Sequence, residues 1–562
     1  MAFKETWSLT LPDIFRIIMK YILAFLILCS QCCFAQKNSK ADKKIIKALQ
    51  AHINFLADDK LEGRRTGSAG EKVAHEYIIT QFKNYGIAPA GSDGNYIQEF
   101  NVPEGKQINN ETALIVNGQS LVLNTDFFPL AFSANGSAQC EVYQSLKEKG
   151  EIWFFDLNET MTQNANNPHF DLQDAIGKTA ADFAKKGATG LIIYNSSSIS
   201  DKIKFEEKDK TENAKIPVVY ITQDAKKKYL SDEIGMTRLK LTVTLETKKR
   251  IGHNVIGFIN NNAANTVIIG AHYDHLGYGE DHNSLYAGST PMIHNGADDN
   301  ASGTAALIEL SKMLLDSKMK KNNYLLLAFS GEELGLFGSK YFTDHPSLDL
   351  GKVNYMINMD MVGRLNDSTH GLAIGGYGTS PSWSRLVDTT GKYFKIKLDS
   401  SGTGPSDHTS FYRKDIPVLF FFTGTHSDYH KPSDDADKIN YNGELQVIKY
   451  VYNIIRSAND MDKLAFTKTR ENTTGKSTFK VSLGIMPDYT FSGNGVHVDG
   501  VSAGKAAEKA GIKTGDVLFQ LGEYKFSDVE TYMDALNKFK KGDSTKVKLM
   551  RGKTELTFDI TF

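Results

Sequence analysis

Three clusters of acids and imidazoles carry the chemistry in this sequence. They read A-H-Y-D-H-L-G over 271–277, N-G-A-D-D-N-A-S-G over 295–303, and F-S-G-E-E-L-G-L-F-G-S over 329–339. Two further groups follow: Asp360 after V-N-Y-M-I-N-M, and Tyr429-His430 after I-P-V-L-F-F-F. Carboxylates mixed with imidazoles suit a hard-to-borderline divalent cation, zinc above all. So many acids fit a pair of ions better than one. Each cluster alone has an ordinary explanation. A His-x-Asp pair is common in cores, and an Asp-Asp pair before a helix serves as an N-terminal cap. A Glu-Glu pair is usually solvated, Asp360 can simply end a strand, and His430 can be a loop histidine. The functional reading rests on their conjunction.

The elements around the clusters make that conjunction spatial. Val267 to Ala271 is a short apolar run that ends on His272 and Asp274, and Tyr324 to Phe329 ends on Glu332-Glu333. Val353 to Met359 leads to Asp360, and Ile416 to Phe422 leads towards His430. Apolar positions 307, 308, 310, 314 and 315 mark a helix over Ala305–Leu315, with Asp298-Asp299-Asn300 just upstream. Strands alternating with helices from Ile251 to about Leu464 predict an α/β fold with a mixed, mostly parallel sheet flanked by helices. In such sheets ligands bind beyond the carboxyl ends of the strands, where these clusters fall.

The rest of the chain is read around this centre. Its 562 residues exceed one hydrophobic core, so about three domains are expected. Hydrophobic content is 41%, charged content 23% and net charge −1, which gives no electrostatic case for nucleic acid or an anionic membrane surface. Lys20, the apolar Tyr21–Leu28 and the small residues up to Ala35 describe a secretory signal, cut after Ala35, for a secreted or periplasmic protein. That run is too short for a permanent span, and no other run crosses a membrane. Met19-Lys20 also resembles a natural start, making 1–18 an extension. Cys29, Cys32 and Cys33 leave with the signal, so Cys140 alone remains and neither a disulfide framework nor a thiolate metal site is expected.

Helical periodicity marks Lys43–Leu56 and Glu71–Phe82, the latter stopping at Gly86. Between them L-E-G-R-R-T-G-S-A-G reads as a surface turn, with Arg64 and Arg65 as weaker binding candidates. Residues 112–245 read as a β-rich insert between 43–111 and 246–465. Residues 466–478 read as a polar, mobile linker, and 479–562 as a small β-rich domain with a capping box at Ser527–Glu530.

These motifs resemble the co-catalytic zinc aminopeptidase family, which includes bacterial leucyl aminopeptidases and glutamate carboxypeptidase II. All five motifs occur in family order across about 43–465, interrupted by the insert. The resemblance implies a metallo-exopeptidase with two zinc ions acting on peptide or protein substrates. His272 and Asp360 would bind one zinc, Glu333 and His430 the other, and Asp298 would bridge them. Glu332 would be the general base and Asp274 would orient His272. It further implies a cis peptide between Asp298 and Asp299. The insert resembles a protease-associated domain. Leu483-Gly484-Ile485 and Ala510–Asp516 resemble a PDZ domain of the bacterial protease type, which takes the C-terminal peptide of a ligand. Alternatives are a glutaminyl cyclase-like acyltransferase, which shares the fold, and a non-catalytic peptide-binding or receptor-like protein. Among the other histidines, His275, His282 and His294 flank the cluster, His408 is expected to support a ligand from behind or to be structural rather than to bind metal, and His426 to be a loop residue. Arg364 is expected to pair with an acid rather than with a substrate carboxylate.

Overall fold

The computed structural model describes residues 39–164, 170, 172–207, 213–391, 393–469, 481–487, 491, 493–501 and 504–562. The expected signal segment and its three cysteines lie outside these residues. Cys140 is a free thiol. No helix among the described residues is long and apolar enough to cross a membrane.

A nine-stranded mixed sheet organises the larger domain. From one edge its strands are Ala88–Pro89, Leu245–Ile259, Asn322–Phe329, Asn265–His272, Val353–Met359, Val418–Phe422, Gly371–Gly375 and Lys395–Leu398, with Ile97–Ile108 paired to Leu245–Ile259. The four middle strands, from Asn322–Phe329 to Val418–Phe422, are parallel. Every residue of Asn322–Phe329 and of Val353–Met359 is buried, as expected for strands covered by helices on both faces. One core face holds Val267, Ile269, Leu326 and Ile357 under the helices, and the other holds Ile268, Leu325, Leu327 and Met356. The last strand starts at Val418 rather than the expected Ile416. Pro417 has no N–H to donate to a ladder, although its carbonyl still accepts from Met356 N–H at 2.9 Å.

The helix Lys40–Leu56 starts three residues earlier than its apolar period indicates. Ser39 Oγ accepts from Asp42 N–H and the Asp42 carboxylate accepts from Ser39 N–H, each at 3.1 Å. The next helix, Ala69–Tyr85, ends on Gly86 at φ +77°, a left-handed cap.

The loop between these helices is not the surface turn its composition indicates. Arg64 is fully buried and donates to the carbonyls of Leu56, Tyr273, Asn295 and Gly296 at 2.5–3.0 Å. Burial brings its pKa down to about 10, so it stays charged. Gly63 permits this close approach: its φ is +69°, and a Cβ there would sit 2.6 Å from the His294 carbonyl oxygen. Arg65 pairs with Asp281 at 2.7 Å and Glu104 at 3.3 Å, and Arg250 also reaches Asp281.

The segment between the long paired strands forms two four-stranded sheets. One is Gln119–Ser120, Ala113–Val116, Met236–Val243 and Gly136–Tyr143; the other is Phe127–Pro129, Val218–Ile221, Gly190–Tyr194 and Ile152–Asp156. The two sheets share one core, around Leu114, Ile192 and Leu241, and the second sheet carries another on its other face, around Trp153, Leu191 and Val218. At the other end, residues 466–469 are anchored rather than mobile. Thr467 N–H donates to Thr379 O, and Phe466 packs on Tyr412 with ring centroids 5.6 Å apart. The last sheet runs Ile485–Pro487, Val496–Val501, Val517–Leu521, Ser544–Arg551, Thr554–Thr561, with Tyr524–Lys525 on Val517–Leu521. Its helix Val529–Leu536 is capped one residue later than expected. Asp528 is the N-cap and Thr531 its reciprocal partner, because the Asp528 carboxylate, not the Ser527 hydroxyl, reaches Thr531 N–H at 2.8 Å.

Candidate metal centre

The parallel register brings the first motifs together. Ala271 lies opposite Ala328 and His272 opposite Phe329, while Gly270 lies opposite Asn358. Two residues beyond Gly270 and Asn358 stand His272 and Asp360, and their Nε2 and Oδ1 are 3.3 Å apart. Two residues past Phe329 the chain turns through Gly331, φ +71°, into Glu332 and Glu333.

Two donor sets meet around one aspartate, and it is Asp299. His272 Nε2 is 3.5 Å from Asp299 Oδ1, and His430 Nε2 is 3.2 Å from Asp299 Oδ2. His430 Nε2 is also 3.2 Å from Glu333 Oε2. Thus His272 and Asp360 stand on one side of Asp299, and Glu333 and His430 on the other. The expected bridging residue, Asp298, is turned away. Its Oδ1 accepts from Ser302 Oγ at 3.0 Å and Gly363 N–H at 2.7 Å, and its Oδ2 lies 3.2 Å from His426 Nε2. With both oxygens so occupied, Asp298 ties two loops together. The cis peptide likewise joins Asp299 to Asn300, one bond later than the family resemblance implied.

Partners outside these sets fix their orientation. Ser406 Oγ donates to Asp360 Oδ2 at 2.7 Å and leaves Oδ1 for His272. His430 Nδ1 faces the Asn283 carbonyl at 3.0 Å, which turns Nε2 inward. His272 Nδ1 is 3.2 Å from the Asp274 carbonyl and 3.7 Å from Asp274 Oδ1. Asp274 Oδ1 also accepts Glu332 N–H at 3.2 Å and its Oδ2 accepts Thr66 Oγ–H at 2.9 Å, so Asp274 joins the strand of His272 to the loop of Glu332. Asp434 Oδ2 accepts the N–H groups of both Asp298 and Asp299 at 3.0 Å. Sequence reading missed Thr66, Asn283, Ser406 and Asp434, whose neighbours show no ligand-like spacing.

The remaining histidines sort by contact. His275, which merely flanks the cluster in sequence, has Nδ1 2.8 Å from Glu333 Oε1 and joins Asp299 and Glu333 as a compact donor group. His-x-x-His spacing from His272 was the available signal. His294 meets Ser284 Oγ at 2.7 Å, and His282 stands at φ +62° in the same loop. His426 is more than a loop residue, since it holds Asp298. Arg364 pairs with Asp428 at 3.4 Å.

The electrostatics follow from burial beside like and unlike charges. Burial pushes the Glu332 carboxyl well above the usual range; nearby His272 opposes this, and Asp407, Glu333 and Asp360 reinforce it. Burial also works against charge on Glu333, but His430 and His275 outweigh it and hold Glu333 well below that range. Burial lifts Asp407 to about 7. The donor set itself, buried nitrogens and carboxylate oxygens converging from opposite sides of Asp299, fits divalent cations of the zinc type.

His408 has a different consequence. It is fully buried, stacks on Phe420 with centroids 4.5 Å and planes 8° apart, and burial lowers its pKa to about 3. An unfolded histidine titrates near 6.5. Between these values the unfolded chain binds the extra proton, so stability is full above about 6.5 and falls as pH drops towards 3, by up to about 1.4 kcal/mol per pH unit. Unfolding of the wild type and His408→Phe between pH 7 and 4 should show this component of acid sensitivity in the wild type only. Parallel pH slopes would exclude it.

Residues 254–455 match the model of peptidase family M28, and 467–562 match that of a PDZ domain. Residues 254–455 are an M28 peptidase domain. This domain contains all the donors named above. Similar curated proteins include Leupeptin-inactivating enzyme 1 of Streptomyces exfoliatus, 29% identical over 208 residues, covering 35% of this chain and 42% of that protein. A probable leucine aminopeptidase of Trichophyton verrucosum is 30% identical over 220 residues, covering 36% and 55%. Aminopeptidase YwaD of Bacillus subtilis is 28% identical over 270 residues, covering 45% and 53%. The chain therefore spans about half the length of these relatives.

Proposed function

We propose that this M28 protein is a zinc aminopeptidase with two ions, which share Asp299. His272 and Asp360 would hold one, and Glu333 and His430 the other, with His275 close enough to Glu333 to set its orientation or add a nitrogen donor. The observation that carries the reading is the position of Asp299, one oxygen towards each histidine. Bound zinc would polarise the scissile carbonyl and lower the pKa of a water molecule. Glu332 is next to a donor and absent from both compact donor groups, which leaves its carboxylate for proton transfer. It would take the proton of the attacking water and return it to the leaving amine. Asp274 holds the Glu332 backbone and the His272 ring in one frame, so base and donor keep their relative position.

Aminopeptidases among the relatives support removal of N-terminal residues. The C-terminal PDZ domain supports a peptide ligand, and the β-rich insert is proposed to be of the protease-associated type. The amino-terminal segment is proposed to direct secretion or periplasmic export. The purified chain, stripped with chelator and reloaded with zinc, should bind about two ions per chain, by analogy with two-metal aminopeptidases. Incubated with a peptide library, it should shorten peptides from the amino end, read by mass spectrometry. Shortening from the carboxyl end, or cyclisation of N-terminal glutamine without hydrolysis, would replace this reading.

A further inference from the structure

The edge strand of the PDZ domain touches the loop of the M28 domain that leads to His430. Among the described strands, Ile485–Pro487 pairs with Val496–Val501 alone, and it ends its sheet. Its other side offers an open ladder for strand addition. At its far end the Thr425 hydroxyl donates to the Pro487 carbonyl at 2.7 Å. Thr425 precedes His426, whose Nε2 touches Asp298, the neighbour of Asp299. The PDZ domain faces the M28 domain at a second place. Asp528, which caps Val529–Leu536, acts electrostatically on Asp399 and is itself influenced by Lys397, both at the end of Lys395–Leu398.

The polarity of this edge is informative. The loop preceding the strand turns at Gly484, φ +83°, against the stem of Lys505; a Cβ there would lie 2.2 Å from Lys505 Cβ. Lys505 is exposed, so its charge is available to a carboxylate held in that loop. A peptide whose terminal carboxylate sits at 483–485 runs along the open edge with its amino end towards Pro487. Pro487 has no N–H, and its carbonyl is engaged by Thr425. The ladder therefore stops, and the peptide leaves the strand at the M28 domain with its amino end leading.

We propose that one peptide occupies both domains, its carboxylate in the PDZ loop beside Lys505 and its amino end at the metal centre. The preferred substrates are then peptides with a free C-terminus that are long enough to reach from one site to the other. This rests on the aminopeptidase reading above. Two tethered contacts on one ligand raise apparent affinity without any new contact at either site.

The test uses the zinc-loaded full chain and peptides sharing one N-terminal residue, in graded lengths, each as C-terminal acid and amide. Beyond a threshold length the acid should exceed its amide in kcat/KM by roughly 10²-fold, through KM. Lys505→Glu should bring that ratio to about one, with Lys505→Gln between. Equal rates for acid and amide at every length would overturn the proposal. An acid preference already present in the shortest peptides would overturn it too. A separate binding arm uses Glu332→Gln protein and a long free-acid peptide labelled on a side chain. Acetylating its N-terminus should weaken binding. If acetylation has no effect, the PDZ domain serves a separate partner and the proposal fails. If no peptide of any length is shortened from its amino end, the aminopeptidase reading fails, and the acetylation result still decides whether one ligand spans both domains.

Discussion

Glu332→Gln protein is expected to hold zinc at the wild-type stoichiometry while kcat falls by about 10²–10⁴-fold. The substitution keeps the side-chain shape and the backbone N–H that donates to Asp274, and removes only the ability to accept and return a proton. Metal retention should be near complete because Glu332 is absent from both compact donor groups around Asp299. The measurement pairs metal analysis with turnover of an aminoacyl substrate. A kcat within about threefold of wild type would mean the proton moves by another route. Loss of zinc together with activity would instead make Glu332 a ligand.

A second large effect separates the adjacent aspartates. Asp299→Asn should lose most bound zinc and about 10³-fold or more in kcat/KM, since one substitution weakens both donor sets. Asp298→Asn should keep zinc and lower the thermal midpoint instead. Its amide oxygen can still accept from Gly363 N–H and Ser302 Oγ, while the charge facing His426 is lost. Metal content and thermal unfolding on both variants give the answer. If Asp298→Asn were the variant that loses zinc, Asp298 would be the shared donor after all.

How far these roles could be read from sequence depended on the type of signal. Strand-end placement was legible because a fully apolar run followed by charge has few other meanings, and it led to His272, Glu333, Asp360 and His430. The choice between Asp298 and Asp299 was not legible. Two identical side chains stand side by side, and their roles are set by Ser302, Gly363 and Asp434, 4 to 136 residues away. The buried role of Arg64 was hidden for a related reason. A Gly-rich, charged stretch has the composition of a solvated turn, and only the carbonyls of three other segments reveal it as interior. The roles of His426 and Ser406 were hidden because each depends on a hydrogen bond to an acid distant in sequence.

That guanidinium has a consequence for how the chain can be divided. Arg64 comes before the insert, whereas Tyr273, Asn295 and Gly296, whose carbonyls it gathers, come after it. A fragment starting at the long strand Leu245–Ile259 would carry every candidate ligand and still lack the staple that closes the loops bearing them. During synthesis the second half must therefore return to a segment made roughly two hundred residues before, so the face that carries the candidate ligands is a late product of assembly.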